Sequence, residues 1–183
     1  MRVFIAIEMM EDIKDYLGRI QNALKENSRE GNFTLKENIH LTLRFIGEVK
    51  DHELDGLKRA MDKATVNQQG FHIHIRGLGR FTRRNSGIIW AGIEESQMLE
   101  KLHSNLELAL EEEGYSKERR SFTPHITLGR RVVFTKGFEE VKERIHMDRK
   151  AMLVDRITLM ESRRIKGALK YIPIYTKEFD NSN

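Results

Sequence analysis

Two short segments of this chain echo one another: Ile39-His40-Leu41-Thr42-Leu43-Arg44 and Pro124-His125-Ile126-Thr127-Leu128-Gly129-Arg130. Each runs histidine, aliphatic residue, threonine, leucine. Seven histidines and nine threonines placed independently over 183 residues give about 0.3 His-x-Thr triplets. Two copies sharing the aliphatic residue and the following leucine arise by chance in well under about one such chain in a hundred. The repeat constrains the fold because residues i and i+2 of a strand share a face. His40 and Thr42 face one way while Leu41 and Leu43 face the other; His125 and Thr127 oppose Ile126 and Leu128 likewise. Each segment therefore reads as a strand that buries its aliphatic face and offers an imidazole beside a hydroxyl on the other. Pro124 restricts Thr123 to extended geometry and fixes the approach to the second strand. The histidines stand 85 positions apart, about half the chain, so each half contributes one strand to a shared cleft related by a pseudo-two-fold axis.

Strand-like and helix-like segments alternate around these two. Arg2 to Glu8 reads as a strand, and Met10 to Lys25 spaces Ile13, Leu17, Ile20 and Leu24 as a helix. Glu26 to Gly31 reads as a polar loop, Phe33 to Leu35 as a short strand, and Asn38 to Ile46 as a strand ended by Gly47. His52 to Val66 is a second helix. Gly70 to Gly77 and Ile88 to Ile93 are strands joined by a connection rich in glycine and arginine. Ser96 caps a third helix bearing Leu99, Leu102, Leu106 and Leu110, with Gly114 as its stop. Thr123 to Arg131 is extended, Lys136 to Ile145 is a fourth helix, and Met152 to Glu161 and Leu169 to Phe179 close the fold as strands. Neither GxGxxG nor GxxxxGK[ST] occurs, which disfavours a nucleotide-binding doubly wound sheet. The fold class expected is α+β, with mostly antiparallel sheets in a bilobal, pseudo-two-fold arrangement around a central groove and helices outside. Residues 1–179 form a single domain and 180–183 a disordered tail.

Composition narrows the chemistry. With no cysteine, disulfides, thiolate zinc sites, iron–sulfur clusters and a cysteine nucleophile are all out of reach. Hydrophobic residues at 39% supply a core, and a net charge of +4 permits a polyanionic partner without demanding one. The opening Met1 to Ile7 meets Glu8 at once with no small-residue cleavage site after it, so it reads as a strand and not a signal peptide. No apolar run approaches the roughly 18 residues of a membrane span. A soluble, cytoplasmic monomer with no membrane association is expected.

Paired histidines suit in-line displacement at phosphorus, where nucleophile and leaving oxygen stand on opposite sides. One imidazole deprotonates the nucleophile and the other protonates the leaving group, each with a pKa near working pH. The threonine hydroxyls can donate to non-bridging phosphate oxygens. A singly charged diester, above all a strained cyclic one, needs no metal. His72 and His74 lie two apart on one strand face but have no evident third ligand, and they read as exposed strand polarity. His52, His103 and His146 read as structural or solvated. Arg80, Arg83 and Arg84 around Phe81, and Arg119 and Arg120 before the second motif, suit an RNA end as well as they suit solvated loops. Strict alternation turns Arg130 away from His125, whereas Arg44 has the parity of His40 and Thr42.

These residues resemble the two-histidine (2H) phosphoesterases, and among them the RNA 2′,3′-cyclic phosphodiesterases, also called 2′-5′ RNA ligases. The resemblance runs through Arg2 to Ile7, Asn38 to Glu48, Gly79-Arg80-Phe81, Arg120 to Arg130, Glu161-Ser162 and Gly167 to Tyr171. It implies hydrolysis of a 2′,3′-cyclic phosphate at an RNA 3′ end to a 2′-phosphomonoester, with reverse 2′-5′ ligation as a family property. By matching positions it implies His40 as proton donor and His125 as proton acceptor. It likewise implies Thr42, Thr127 and Arg130 as the residues that hold the phosphate, without metal or cofactor. The partners implied are RNA 3′ ends carrying the cyclic phosphate, tRNA fragments and small cyclic nucleotides. Two other readings stand beside it: a non-catalytic RNA-end or nucleotide-binding module, and a cyclic phosphodiesterase acting on a small nucleotide. The intact histidine pair argues against the first, since a pure binder would not require both.

Overall fold

The computed structural model describes residues 1–83 and 86–180, with the side chain of Arg83 also outside the description. In chain order its elements are β1 (Arg2–Glu8), α1 (Glu11–Glu26), β2 (Ser28–Phe33), β3 (His40–Glu48), α2 (Leu54–Ala64), β4 (Phe71–Arg83) and β5 (Ser86–Ile93). There follow α3 (Gln97–Glu112), β6 (His125–Phe134), α4 (Phe138–Arg144), β7 (Lys150–Val154), β8 (Arg156–Ile165) and β9 (Ala168–Glu178). The nine strands form one sheet in the order β7-β4-β5-β6-β3-β1-β8-β9, with β2 attached to β6. Every strand pairing in it is antiparallel. This is the α+β, bilobal arrangement expected: β4 to β7 make one lobe, β1, β3, β8 and β9 the other. The lobes join where β3 meets β6 through a single pair, Leu41 with Ile126.

One face of the sheet is covered by helices. The apolar stripe of α1 (Ile13, Leu17, Ile20, Leu24) and that of α3 (Leu99, Leu102, Leu106, Leu110) are buried in a single core with Leu41, Leu43, Ile126 and Leu128. Each such side chain withdrawn from water contributes about 1.5–3 kcal/mol. Ser96 caps α3 by accepting from the Leu99 N–H, and Gly114 follows the helix at φ +90°, a left-handed turn that glycine makes without a Cβ clash. On the open face a second small cluster, Phe4, Ala6 and Met160 with Tyr171 packed against it, lies beside the histidine face of β3. No helix among the described residues is long and apolar enough to cross a membrane.

Several boundaries differ from the sequence reading. Most of the polar stretch 26–31 lies in strand β2, which runs on only to Phe33. It pairs backbone-to-backbone with β6 while its side chains stay largely exposed, so it carries no apolar period to read. The glycine- and arginine-rich connection is also strand: β4 passes through Gly77 at φ +76° and continues to Arg83, pairing with β5. The apparent single strand from Met152 to Glu161 is two strands in different lobes. β7 pairs with β4 and β8 with β1, and the chain crosses over at Asp155, whose carbonyl accepts from the Phe179 N–H. The second helix opens with a 3₁₀ turn, Asp51–Glu53. Of the tail, Asp180 bridges to Gln69 and residues 181–183 lie outside the described residues.

Candidate active site

Leu41 and Ile126 lie opposite one another with their side chains in the core, so the residues on either side of each face the open cleft. Continuing that register sets His40 level with Thr127 and Thr42 level with His125. In a regular ladder the two histidines are then diagonal neighbours, their backbones roughly 7–8 Å apart. Each ring is held the same way. His40 Nδ1 donates to the Asn38 carbonyl at 2.6 Å, and His125 Nδ1 donates to the Thr123 carbonyl at 2.7 Å. Both bonds reach back two residues, so both imidazoles present Nε2 away from the backbone. His40 Nε2 is 2.9 Å from Thr42 Oγ1.

Aromatic walls flank the pair. In one lobe Phe4 and Tyr171 sit 4.9 and 5.0 Å from the His40 ring. In the other, Phe81 and Trp90 sit 5.0 and 6.0 Å from His125. Gly79 is required there, because a Cβ at that position would come within 2.1 Å of the Trp90 indole. Burial pushes both histidines below their ordinary pKa, and the nearby charge of Arg130 pushes each in the same direction. The Asn38 carbonyl opposes the fall at His40, with a smaller contribution from Glu8, and the Thr123 carbonyl opposes it at His125. Glu8 itself accepts a hydrogen bond from Thr158 at 2.9 Å.

Arg130 reaches this face through a bulge. On β6, Thr127 pairs with Trp90 but Gly129 pairs with the next β5 residue, Ile89. Leu128 is thus an extra residue, Leu128 and Gly129 are both buried, and alternation is reset so that Arg130 turns to the cleft. The matching bulge occurs on β3, where Thr42 pairs with Ala6 and Arg44 with Ile5. Arg44 is therefore turned to the helix-covered side. It pairs with the buried Glu107 of α3 at 3.4 Å and donates to the Ser116 carbonyl, which ties down the segment leading to the second motif. Parity alone misassigned both arginines, in opposite directions.

The other sequence candidates fall elsewhere. Arg80 lies against Gly87, with its Nε buried. Arg84 and the side chain of Arg83 lie outside the described residues. Arg119 and Arg120 are exposed, their N–H groups turned to Glu118. His72 and His74 lie on β4 opposite Leu153 and Ala151, and no group of three or more His, Asp or Glu side chains able to hold a metal occurs among the described residues.

A family model described as the 2′-5′ RNA ligase superfamily matches residues 11–166, a span that includes both histidine motifs. The chain belongs to the 2′-5′ RNA ligase superfamily. It is similar to the RNA 2′,3′-cyclic phosphodiesterase of Thermotoga maritima, 30% identical over 181 residues that cover 98% of this chain and 96% of that one. The protein of the same name from Methanothermobacter thermautotrophicus is 32% identical over 130 residues, 70% of each chain. Among solved structures, TT0787 of Thermus thermophilus shares the fold over 100% of both chains at a TM-score of 0.80 and 21% identity. E. coli LigT complexed with 3′-AMP shares it over 97% of both at 0.77 and 24%.

Within this superfamily member, sequence reasoning gave no role to several residues that shape the site. Asn38 is buried, donates to the Leu169 carbonyl at 2.8 Å and receives the Tyr171 N–H at 3.3 Å, so it docks β9 beside the first motif. Gln21 of α1 donates from Nε2 to the carbonyls of both Thr34 and Leu128 at 2.8 Å, and the Thr34 hydroxyl donates to the Thr127 carbonyl at 2.9 Å. These bonds pin the β6 bulge. A polar residue among the apolar positions of α1 was the available signal for Gln21; nothing local marked Tyr171.

Proposed function

We propose that this chain hydrolyses the 2′,3′-cyclic phosphate at RNA 3′ ends to a 2′-phosphomonoester, without metal, with His40 as the acid and His125 as the base. The observation that carries this reading is the symmetric presentation of two Nε2 atoms, one from each lobe, across one cleft. Water attacks phosphorus opposite the 3′-oxygen. A new P–O bond forms, the P–O3′ bond breaks, His125 Nε2 takes a proton from the water and His40 Nε2 gives one to O3′. Thr42, Thr127 and Arg130 surround the non-bridging oxygens, where charge concentrates in the transition state. The choice of His40 as donor and His125 as acceptor follows the matching positions of the family. The Nδ1–carbonyl bonds hold both rings in the orientation that leaves Nε2 to the substrate. An RNA 5′-hydroxyl in place of water gives a 2′-5′ bond by the same steps.

The naming of the relatives as RNA 2′,3′-cyclic phosphodiesterases supports the same activity. The experiment is a panel of nucleoside 2′,3′-cyclic phosphates and RNA ending in the cyclic phosphate, assayed in EDTA. Conversion of the cyclic phosphate to a 2′-phosphomonoester with a free 3′-hydroxyl is expected. Turnover that stops in chelator and returns with added zinc or manganese would overturn the metal-free mechanism.

A further inference from the structure

The pseudo-symmetry of the two lobes breaks at one pair of equivalent positions. Five residues after each histidine, and just past each bulge, the chain again faces the cleft. In the second lobe that residue is Arg130; in the first it is Phe45. Phe45 is paired with Phe4, whose ring lies in the cleft wall 4.9 Å from His40. Phe45 itself is 45% exposed, unlike Phe4 at 4%. The Arg2 guanidinium covers one side of its ring at 4.8 Å from the centroid. Arg2 forms no ion pair with a carboxylate among the described residues, and its charge reaches Tyr171, whose ring is 5.0 Å from His40. Tyr171, Arg2 and Phe45 thus run as a track away from His40 along the first lobe: a hydroxyl, a cation and an aromatic face.

We infer that Arg2 and Phe45 form a subsite for the RNA chain upstream of the cyclic phosphate, with Arg2 on a phosphodiester and Phe45 stacked on a base. This rests on the cyclic-phosphate reading of the histidine pair and extends it to the length of the substrate. Because of the bulge, His40 and Phe45 stand level with Glu8 and Phe4, four strand residues or roughly 13 Å apart. That is farther than a nucleoside's own base stands from its cyclic phosphate, so a mononucleotide held between His40 and His125 does not reach Phe45. A chain of several nucleotides does. Aromatic faces stack on any base, and an adjacent guanidinium suits a phosphodiester, so the subsite selects for RNA over mononucleotide without selecting sequence.

The test compares a 2′,3′-cyclic mononucleotide with a fluorescently labelled RNA hexamer ending in cyclic phosphate, using wild type, Phe45→Ala, Phe45→Tyr and Arg2→Gln. Loss of one stacked base is worth about 5- to 150-fold. The ratio of kcat/KM for hexamer to that for mononucleotide should fall by this order in Phe45→Ala, through KM, and recover in Phe45→Tyr. Arg2→Gln should lower the same ratio and flatten the dependence of hexamer binding on salt. Hexamer affinity measured directly by anisotropy should fall in parallel. An unchanged ratio and unchanged affinity in Phe45→Ala, or a fall equal for both substrates, overturns the subsite. If the wild type hydrolyses neither substrate, the catalytic reading fails, and anisotropy still decides whether Phe45 contributes to RNA binding.

Discussion

Leu41 and Ile126 pair across the junction of the two lobes, and each stands between the histidine and the threonine of its own segment. That single pair sets the geometry of the site. Because both aliphatic side chains go down into the helix-covered core, all four polar neighbours must come up into the cleft. Burial of the two apolar residues thereby aligns the two imidazoles. A polar substitution at either position would act on catalysis through alignment as well as on stability.

His40→Ala and His125→Ala should each lower cyclic-phosphate hydrolysis by about 10²- to 10⁴-fold, the usual cost of losing a positioned acid or base. Neither ring lies in the main core, so far-UV circular dichroism should be unchanged. Ordinary turnover by both purified variants would sink the assignment. Thr42→Val and Thr127→Val should be milder, on the order of 1–3 kcal/mol each for a lost hydrogen bond to a charged phosphate.

The pH dependence follows from the direction of the two histidine shifts. The base must be neutral and the acid charged, so activity falls on both sides of an optimum. Both groups sit below their ordinary value near 6.5 in the free protein. The kcat/KM profile should therefore peak on the acid side of that value. Bound phosphate favours imidazolium, so the kcat profile should lie at higher pH than the kcat/KM profile. Arg130→Gln removes a positive charge that depresses both histidines, and it should move the kcat/KM profile to higher pH while raising KM. A profile that stays in place or moves toward acid would show that Arg130 does not act on the pair.

The histidines were legible because a two-residue period and a rare repeat coincide at His40-Leu41-Thr42 and His125-Ile126-Thr127. Arg44 and Arg130 were not legible from parity, and only the family resemblance marked Arg130, because the bulges at Leu43 and Leu128 shift parity by one and leave no composition signal before the pairing partners are known. β2 escaped notice for a related reason: an exposed edge needs only its backbone to pair, so Ser28–Phe33 carries polar residues throughout most of its length. The break falls at the charged pair Asp155-Arg156 between two short apolar runs, where the chain leaves its pairing with β4 and takes up pairing with β1.

Gln21 tests whether the bulge positions Arg130. It is buried, and its amide serves the Leu128 and Thr34 carbonyls together. Gln21→Leu leaves the Thr34 carbonyl without that donor and should cost about 1–3 kcal/mol of stability, measured by urea denaturation. KM for the cyclic phosphate should rise more than kcat falls, since Arg130 loses its fixed position while the histidines keep their own backbone anchors. Gln21→Glu, which sets a carboxylate against two carbonyl oxygens, should be worse than Gln21→Leu. An unchanged KM in a folded Gln21→Leu would separate the bulge from phosphate binding.

Trp90 gives a readout of His125 that needs no turnover. It is the single tryptophan of the chain, and its ring is 6.0 Å from the His125 ring. A charged imidazolium quenches a neighbouring indole more than a neutral imidazole does. Fluorescence should therefore be low in acid and rise with pH as His125 loses its proton. The midpoint should fall below the ordinary histidine value of about 6.5, because burial and the charge of Arg130 both favour the neutral ring. Inorganic phosphate or a 2′-nucleotide should shift the midpoint upward, since an anion in the cleft favours the imidazolium. His125→Ala should abolish the transition, and His40→Ala should leave it in place. A midpoint above about 6.5 in the free protein, or a transition that survives His125→Ala, would overturn a depressed pKa at His125.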